Sequence, residues 1–141
     1  MVGPNLGGTL TEGPASASFA FMVPDATVYK YDTPANLSLI TGSWAGALLN
    51  GESATVNILA DGSLTATSSL GCSATGQVVP RPGGKNVFNF SLTFGASPCA
   101  QPNQKVSGIS VTHLLSDGTN QLIAGLVDST RTTANAFFAV R

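Results

Sequence analysis

Charge is what this chain has least of. Six lysines and arginines and seven aspartates and glutamates make up 9% of its 141 residues, against roughly 25% in an ordinary soluble domain. The net charge of −1 makes no electrostatic case for gathering phosphates. That argues against nucleic acid as a partner and offers no electrostatic attraction to an anionic membrane. Histidine occurs once, at His113, and cysteine twice, at Cys72 and Cys99. One imidazole and two distant thiols do not assemble a tetrahedral zinc set. The Asp-Gly turns lack the ligand series and closing glutamate of a calcium loop. No metal and no cofactor is expected.

Nucleophile motifs are missing too. "GESAT" ends on Thr55 and "GASPC" ends on Cys99, where a Gly-x-Ser-x-Gly elbow needs glycine. A hydrolase built on His113 would need partners, and Asp117 and Asp128 are too generic to supply them. The chain is therefore read as non-enzymatic, with no catalytic residue. No apolar run reaches the roughly 18 residues of a membrane helix. A transmembrane barrel is disfavoured by short second and third strands, by the lack of paired aromatic girdles and by a final Arg141. The opening "MVGPNLGG" has neither a charged n-region nor an apolar h-region, so it reads as a start that follows a removed signal.

What is present is β chemistry. Ser, Thr, Asn and Gly carry the polarity, and a hydrophobic content of 43% is too high for disorder throughout. Helical signals are nearly absent. In "NVFNFSLTF", Phe88, Phe90, Leu92 and Phe94 fall on one face and Val87, Asn89, Ser91 and Thr93 on the other, the period of a half-buried strand. Asn50-Gly51, Asp61-Gly62 and Asp117-Gly118 supply the positive φ of tight hairpins. These signals place eight antiparallel strands near 42–49, 53–60, 63–70, 73–79, 86–94, 106–115, 120–128 and 134–140. Residues 1–35 differ. "GTLTEGPASASFAFMVP" predicts a hairpin, with Phe19 and Phe21 opposite Ala20 and Met22. So short a segment buries too little to fold alone. It is expected to be an extension or hairpin packing on a barrel or sandwich of 36–141, within a single β domain of 1–141. The fold class is thus all-β, antiparallel, eight to ten strands, either a calycin-like barrel or a β-sandwich. Alternation alone does not separate the two.

Two cysteines spaced far from Cys-x-x-Cys argue for a Cys72–Cys99 disulfide and an oxidising compartment. The bridge would close a loop of about 28 residues and add roughly 3–4 kcal/mol. The alternative is a pair of buried free thiols. The phenylalanine row could line a ligand cavity or form a packed core. His113 shares a strand face with Ile109, Val111 and Leu115, which suits a hydrogen-bonded or partly exposed structural histidine, or one beside a cavity. Asn36-Leu37-Ser38 and Asn89-Phe90-Ser91 match the glycosylation pattern, but a pattern this short arises often by chance and means nothing if the source is bacterial.

"TGSWAG" holds the only tryptophan. Its Gly42-Ser43-Trp44 resembles the Gly-x-Trp of lipocalin- and avidin-type barrels, where the tryptophan plugs one end and pairs with an arginine near the last strand. Arg131 and Arg141 are the candidates for that partner. A wider resemblance spans Leu37 to Ala100 and rests on Gly42, Trp44, Asp61-Gly62, Gly71-Cys72, Gly76, Asn86-Val87-Phe88 and Cys99. It is to small exported β-rich proteins of proteobacteria classed as lipoproteins or surface antigens. That resemblance implies export to the periplasm, outer-membrane surface or exterior, the same disulfide, and a barrel or sandwich. It implies no activity. Its lipoproteins carry an anchoring cysteine at the mature N-terminus; none stands here, so a lipid anchor would lie upstream. Two functional expectations follow. One is a non-enzymatic exported protein, a surface antigen or interaction module with a protein partner. The other is a lipocalin-like barrel for a small apolar ligand, lined by Trp44, Phe88, Phe90, Phe94 and His113.

Overall fold

The computed structural model describes residues 6–12, 14–21 and 29–141. Two strands, β1 (Leu6–Glu12) and β2 (Ala15–Phe21), form an antiparallel hairpin in register Leu6↔Phe21 to Glu12↔Ala15. Met22, placed by the sequence on this hairpin, lies outside the described residues.

The rest is one closed barrel. Strands β3 (Gly42–Leu48), β4 (Ser53–Ile58), β5 (Ser63–Ser68), β6 (Ser73–Pro80), β7 (Phe88–Phe94), β8 (Lys105–Leu114), β9 (Asn120–Asp128) and β10 (Ala134–Val140) each pair antiparallel with their sequence neighbours. β10 then pairs with β3, Phe137↔Leu48 to Val140↔Ala45, and closes the sheet. Closure abolishes edges, which a sandwich would have to protect. The barrel alternative is therefore the correct one. At the seam the backbones approach closely: a Cβ on Gly46 would stand 1.9 Å from the Phe138 carbonyl oxygen.

Local chemistry explains why the strands turn where they do. Asp61 Oδ1 accepts from the Ser63 N–H at 2.9 Å, Asp117 Oδ1 from the Thr119 N–H at 2.9 Å and Asn50 Oδ1 from the Glu52 N–H at 3.1 Å. Each side chain thus caps its own turn. Burial by the phenylalanine row follows its period of two: Phe88, Phe90 and Leu92 are buried, and Asn89 and Ser91 face outward.

Interior side chains form one core. Trp44, Val56, Ile58, Leu64, Val78, Phe88, Phe90, Leu122 and Phe137 are among its buried members. The exterior divides in two. Around β4–β7, outward positions pair threonine with threonine, Thr55↔Thr67, Thr65↔Thr75 and Thr75↔Thr93. Across β8, β9, β10 and β3, the outward row is instead Val111, Ile123, Phe138 and Ala47.

Candidate functional site

The two ends of the barrel are built differently. At the end where β3 starts and β10 finishes, a 3-10 turn (Leu37–Leu39) follows an N-cap in which Asn36 Oδ1 accepts from the Ser38 N–H at 3.0 Å. The next residue, Ile40, is fully buried and gives its carbonyl to Trp44 Nε1–H at 2.7 Å. That bond satisfies the indole's only donor, as burial requires. Gly42 adopts φ +130, a conformation that side chains rarely take, and brings the chain from this turn into β3. The Arg141 guanidinium lies over the Trp44 ring, 4.5 Å from its centroid. It donates to the Leu39 carbonyl at 3.2 Å and to the Thr41 carbonyl. Of the two C-terminal candidates, Arg141 is the one that stands over Trp44; Arg131 lies in the β9–β10 turn at the opposite end.

The segment before this turn is tied to the β6–β7 loop. Ala35 N–H donates to the Lys85 carbonyl at 3.2 Å and Asn86 N–H to the Tyr31 carbonyl at 2.9 Å. Tyr29 donates its hydroxyl to the Asn86 carbonyl. Partial burial, with Tyr31 nearby, raises the Tyr29 phenol above its ordinary value. Lys85 and Asp32 form an exposed ion pair at 2.5 Å, a contact of small energetic weight. This end is plugged.

The opposite end holds a cavity of about 290 Å³. Its walls are apolar: Leu48, Val56, Phe90, Leu92, Phe94 and Phe137. Small residues make the room. Ala54, Ala66, Ala74 and Ala124 point inward from four strands that at the plugged end carry Ile58, Leu64, Val78 and Leu122. Eight strands enclose a space that side chains just fill, or that holds one small ligand when they are trimmed. The mouth mixes polar Asn50, Glu52, Ser68, Gln101, Thr133 and Asn135 with apolar Leu70, Pro98, Ala100 and Ala134.

One wall of that mouth is covalently held. Cys72, at the β5–β6 turn, is bonded to Cys99, in the β7–β8 loop, with an S–S distance of 1.99 Å. The disulfide expectation holds, and the free-thiol alternative falls. Cys72, Pro98 and Ala100 all line the cavity, so the bridge holds the long β7–β8 loop beside its entrance.

Of the five residues expected to line a cavity, the structure brings two together there, Phe90 and Phe94. Trp44 and Phe88 are wholly buried in the plugged end and do not line it. His113 sits on the outward face of β8, opposite Gln121, while Thr112 points in. Sequence pattern misleads on β8 because its outward face, Ile109, Val111 and His113, is the more apolar one. Its inward face carries Gly108 and Ser110, which stand opposite Phe90 and Phe88 of β7. At Gly108 it is the β9 backbone that excludes a side chain: a Cβ there would stand 1.9 Å from the Gly125 carbonyl oxygen. The lining alanines were not singled out by sequence; their signal was one small residue in an otherwise aliphatic inward row, Ala54 before Val56 and Ile58 and Ala66 after Leu64.

No cluster of three potential metal ligands occurs among the described residues. No helix among them is long and apolar enough to cross a membrane. In comparison with known proteins, no family model, no curated protein and no solved structure matches this chain.

Proposed function

We propose that this is a non-enzymatic exported binding barrel that holds one small apolar molecule in its open half. The observation that carries the reading is the asymmetry itself: an apolar cavity of about 290 Å³ with polar groups at its rim, in a barrel whose other end is plugged. That volume is at the lower bound of ordinary ligand pockets. It is about twice the ~150 Å³ engineered cavity that takes up benzene, which sets a ligand of about ten to twelve non-hydrogen atoms. The Cys72–Cys99 bridge supports export, since such bonds persist in oxidising compartments.

Titration calorimetry with nonan-1-ol tests this. A single saturable site is expected, with a dissociation constant in the micromolar range, about −8 kcal/mol, and a negative heat-capacity change from apolar burial. Filling the cavity by Ala66→Leu should abolish binding while keeping or raising stability by about 1 kcal/mol. Unsaturable heats with the native protein would defeat the reading. Trp44 emission is the wrong reporter, because its ring belongs to the plugged end.

A second reading, a protein-interaction module, is favoured by the exterior. Ile109, Val127, Phe138 and Val140 stand outward on β8–β10 with exposures of 37–46%, and Val111, Ile123 and Phe138 form one row. Contiguous exposed apolar surface of this sort marks interaction sites. Phe138→Ser should leave nonan-1-ol binding unchanged and reduce self-association, read by light scattering, if that face binds a copy of the chain.

A further inference from the structure

The cavity has a chemical preference that its volume alone does not state. Among the residues that line it, one is charged, Glu52, and none is Lys, Arg or His. Glu52 follows the β3–β4 turn and is half-buried. Its Oε2 accepts from Asn50 Nδ2 at 3.4 Å, and no cation pairs with it among the described ion pairs. Two cations belong to strands or turns of this end, Lys105 and Arg131, and neither lines the cavity. Lys105 stands opposite outward-facing Thr93. Asp128, at the base of the β9–β10 turn, spends its carboxylate on Thr130, Thr132 and Thr133. Asn135 also has its carbonyl committed, to the Leu49 N–H at 3.2 Å and the Ala136 N–H at 2.8 Å. Its amide therefore meets a guest as a donor.

Resting on the binding reading above, we infer that the site takes apolar molecules whose polar end is neutral or cationic, a hydroxyl or an ammonium, and rejects aliphatic carboxylates. A ligand tail in the apolar half leaves its head at the mouth, beside Glu52. A hydroxyl donates to the carboxylate and accepts from the Asn135 amide. An ammonium gains a counter-charge. A carboxylate meets a like charge in partly desolvated surroundings, with no cation in the lining to offset it.

Three ligands with one nine-carbon tail decide the matter: nonan-1-ol, nonylammonium and nonanoate, each below its micellar concentration at neutral pH, titrated into the native protein and Glu52→Gln. The native protein should bind the alcohol and the ammonium, and nonanoate at least about tenfold more weakly than the alcohol. In Glu52→Gln the nonanoate deficit should shrink and the ammonium should weaken. Nonanoate binding as tightly as the alcohol to the native protein would overturn the inference while leaving the cavity reading intact. So would ratios unchanged by Glu52→Gln, a substitution at a solvent-accessible turn whose fold near-UV circular dichroism checks. If none of the three binds, the binding reading itself falls, and the preference with it.

Discussion

The two ends of this barrel are made from the same eight strands and obey the same alternation, yet one is solid and the other hollow. At the plugged end, inward positions carry Trp44, Ile58, Leu64, Val78 and Phe88, and an indole–guanidinium stack seals the opening. At the open end β4, β5 and β6 carry Ala54, Ala66 and Ala74 in place of Ile58, Leu64 and Val78, and a disulfide-pinned loop stands at the rim. Side-chain volume, not secondary structure, makes the difference. In a barrel of this width each inward methyl group decides between core and cavity.

Breaking the plugged end should cost most. Trp44→Ala removes a fully buried indole and its bond to Ile40. A loss of about 4 kcal/mol is expected in denaturant unfolding. Phe94→Ala at the half-buried open end should cost less than half as much. Equal losses would show that the two ends share one rigid core.

Reduction of Cys72–Cys99, or its replacement by two serines, should lower stability by roughly 3.5 kcal/mol through loop-closure entropy. Within the folded state, amide exchange should accelerate in the β7–β8 loop (Gly95–Gln104) and stay slow around Ile40–Trp44. Uniform acceleration would mean that the bridge stabilises the barrel as a whole.

Arg141→Ala sharpens the comparison from the other side. It removes the cation over Trp44 and the bonds to Leu39 and Thr41, an expected loss of about 1–2 kcal/mol. Trp44 emission should change, and nonan-1-ol affinity should stay within about twofold. Arg141→Lys should recover only part, since an ammonium lacks the planar fork.

Acid should act on turns at both ends, and least. Asp61 is held below the ordinary carboxylate value by hydrogen bonds from the Ser63 hydroxyl and N–H. Asp117 is lowered by the Thr119 N–H, and Asp128 by the Thr130 hydroxyl and the Thr133 and Thr132 N–H groups. A folded value below the unfolded one stabilises above the unfolded value, near pH 4, and the contribution is lost as pH falls through the folded one. Melting temperature should thus be flat from neutral pH to about 5 and decline only below about 4. Asn at all three positions should flatten that decline.

The strands were legible because their signals are local. The phenylalanine row predicts 86–94 and the structure places β7 at Phe88–Phe94; the Asp-Gly and Asn-Gly pairs locate three hairpins. The cysteine pair was legible from count and spacing. The pairing of Trp44 with a C-terminal arginine was legible as a pattern, although its choice of Arg141 over Arg131 depended on where β10 ends. His113 was half legible: a partly exposed structural histidine fits its place, but its apolar neighbours also suggested a cavity wall, and β8 turns that face out.

Sequence by itself determined the all-β class, the strand spans and the turn chemistry, and it narrowed the two cysteines to a disulfide or a pair of buried thiols. All of these depend on residue type, counts or contacts within a few positions. Tertiary structure alone decided that β10 closes on β3, that Trp44 and Phe88 belong to a plug, and that alanines on separate strands together leave a cavity with Glu52 at its mouth. Those facts depend on register and on summed volumes across strands distant in sequence, which no window of the chain contains.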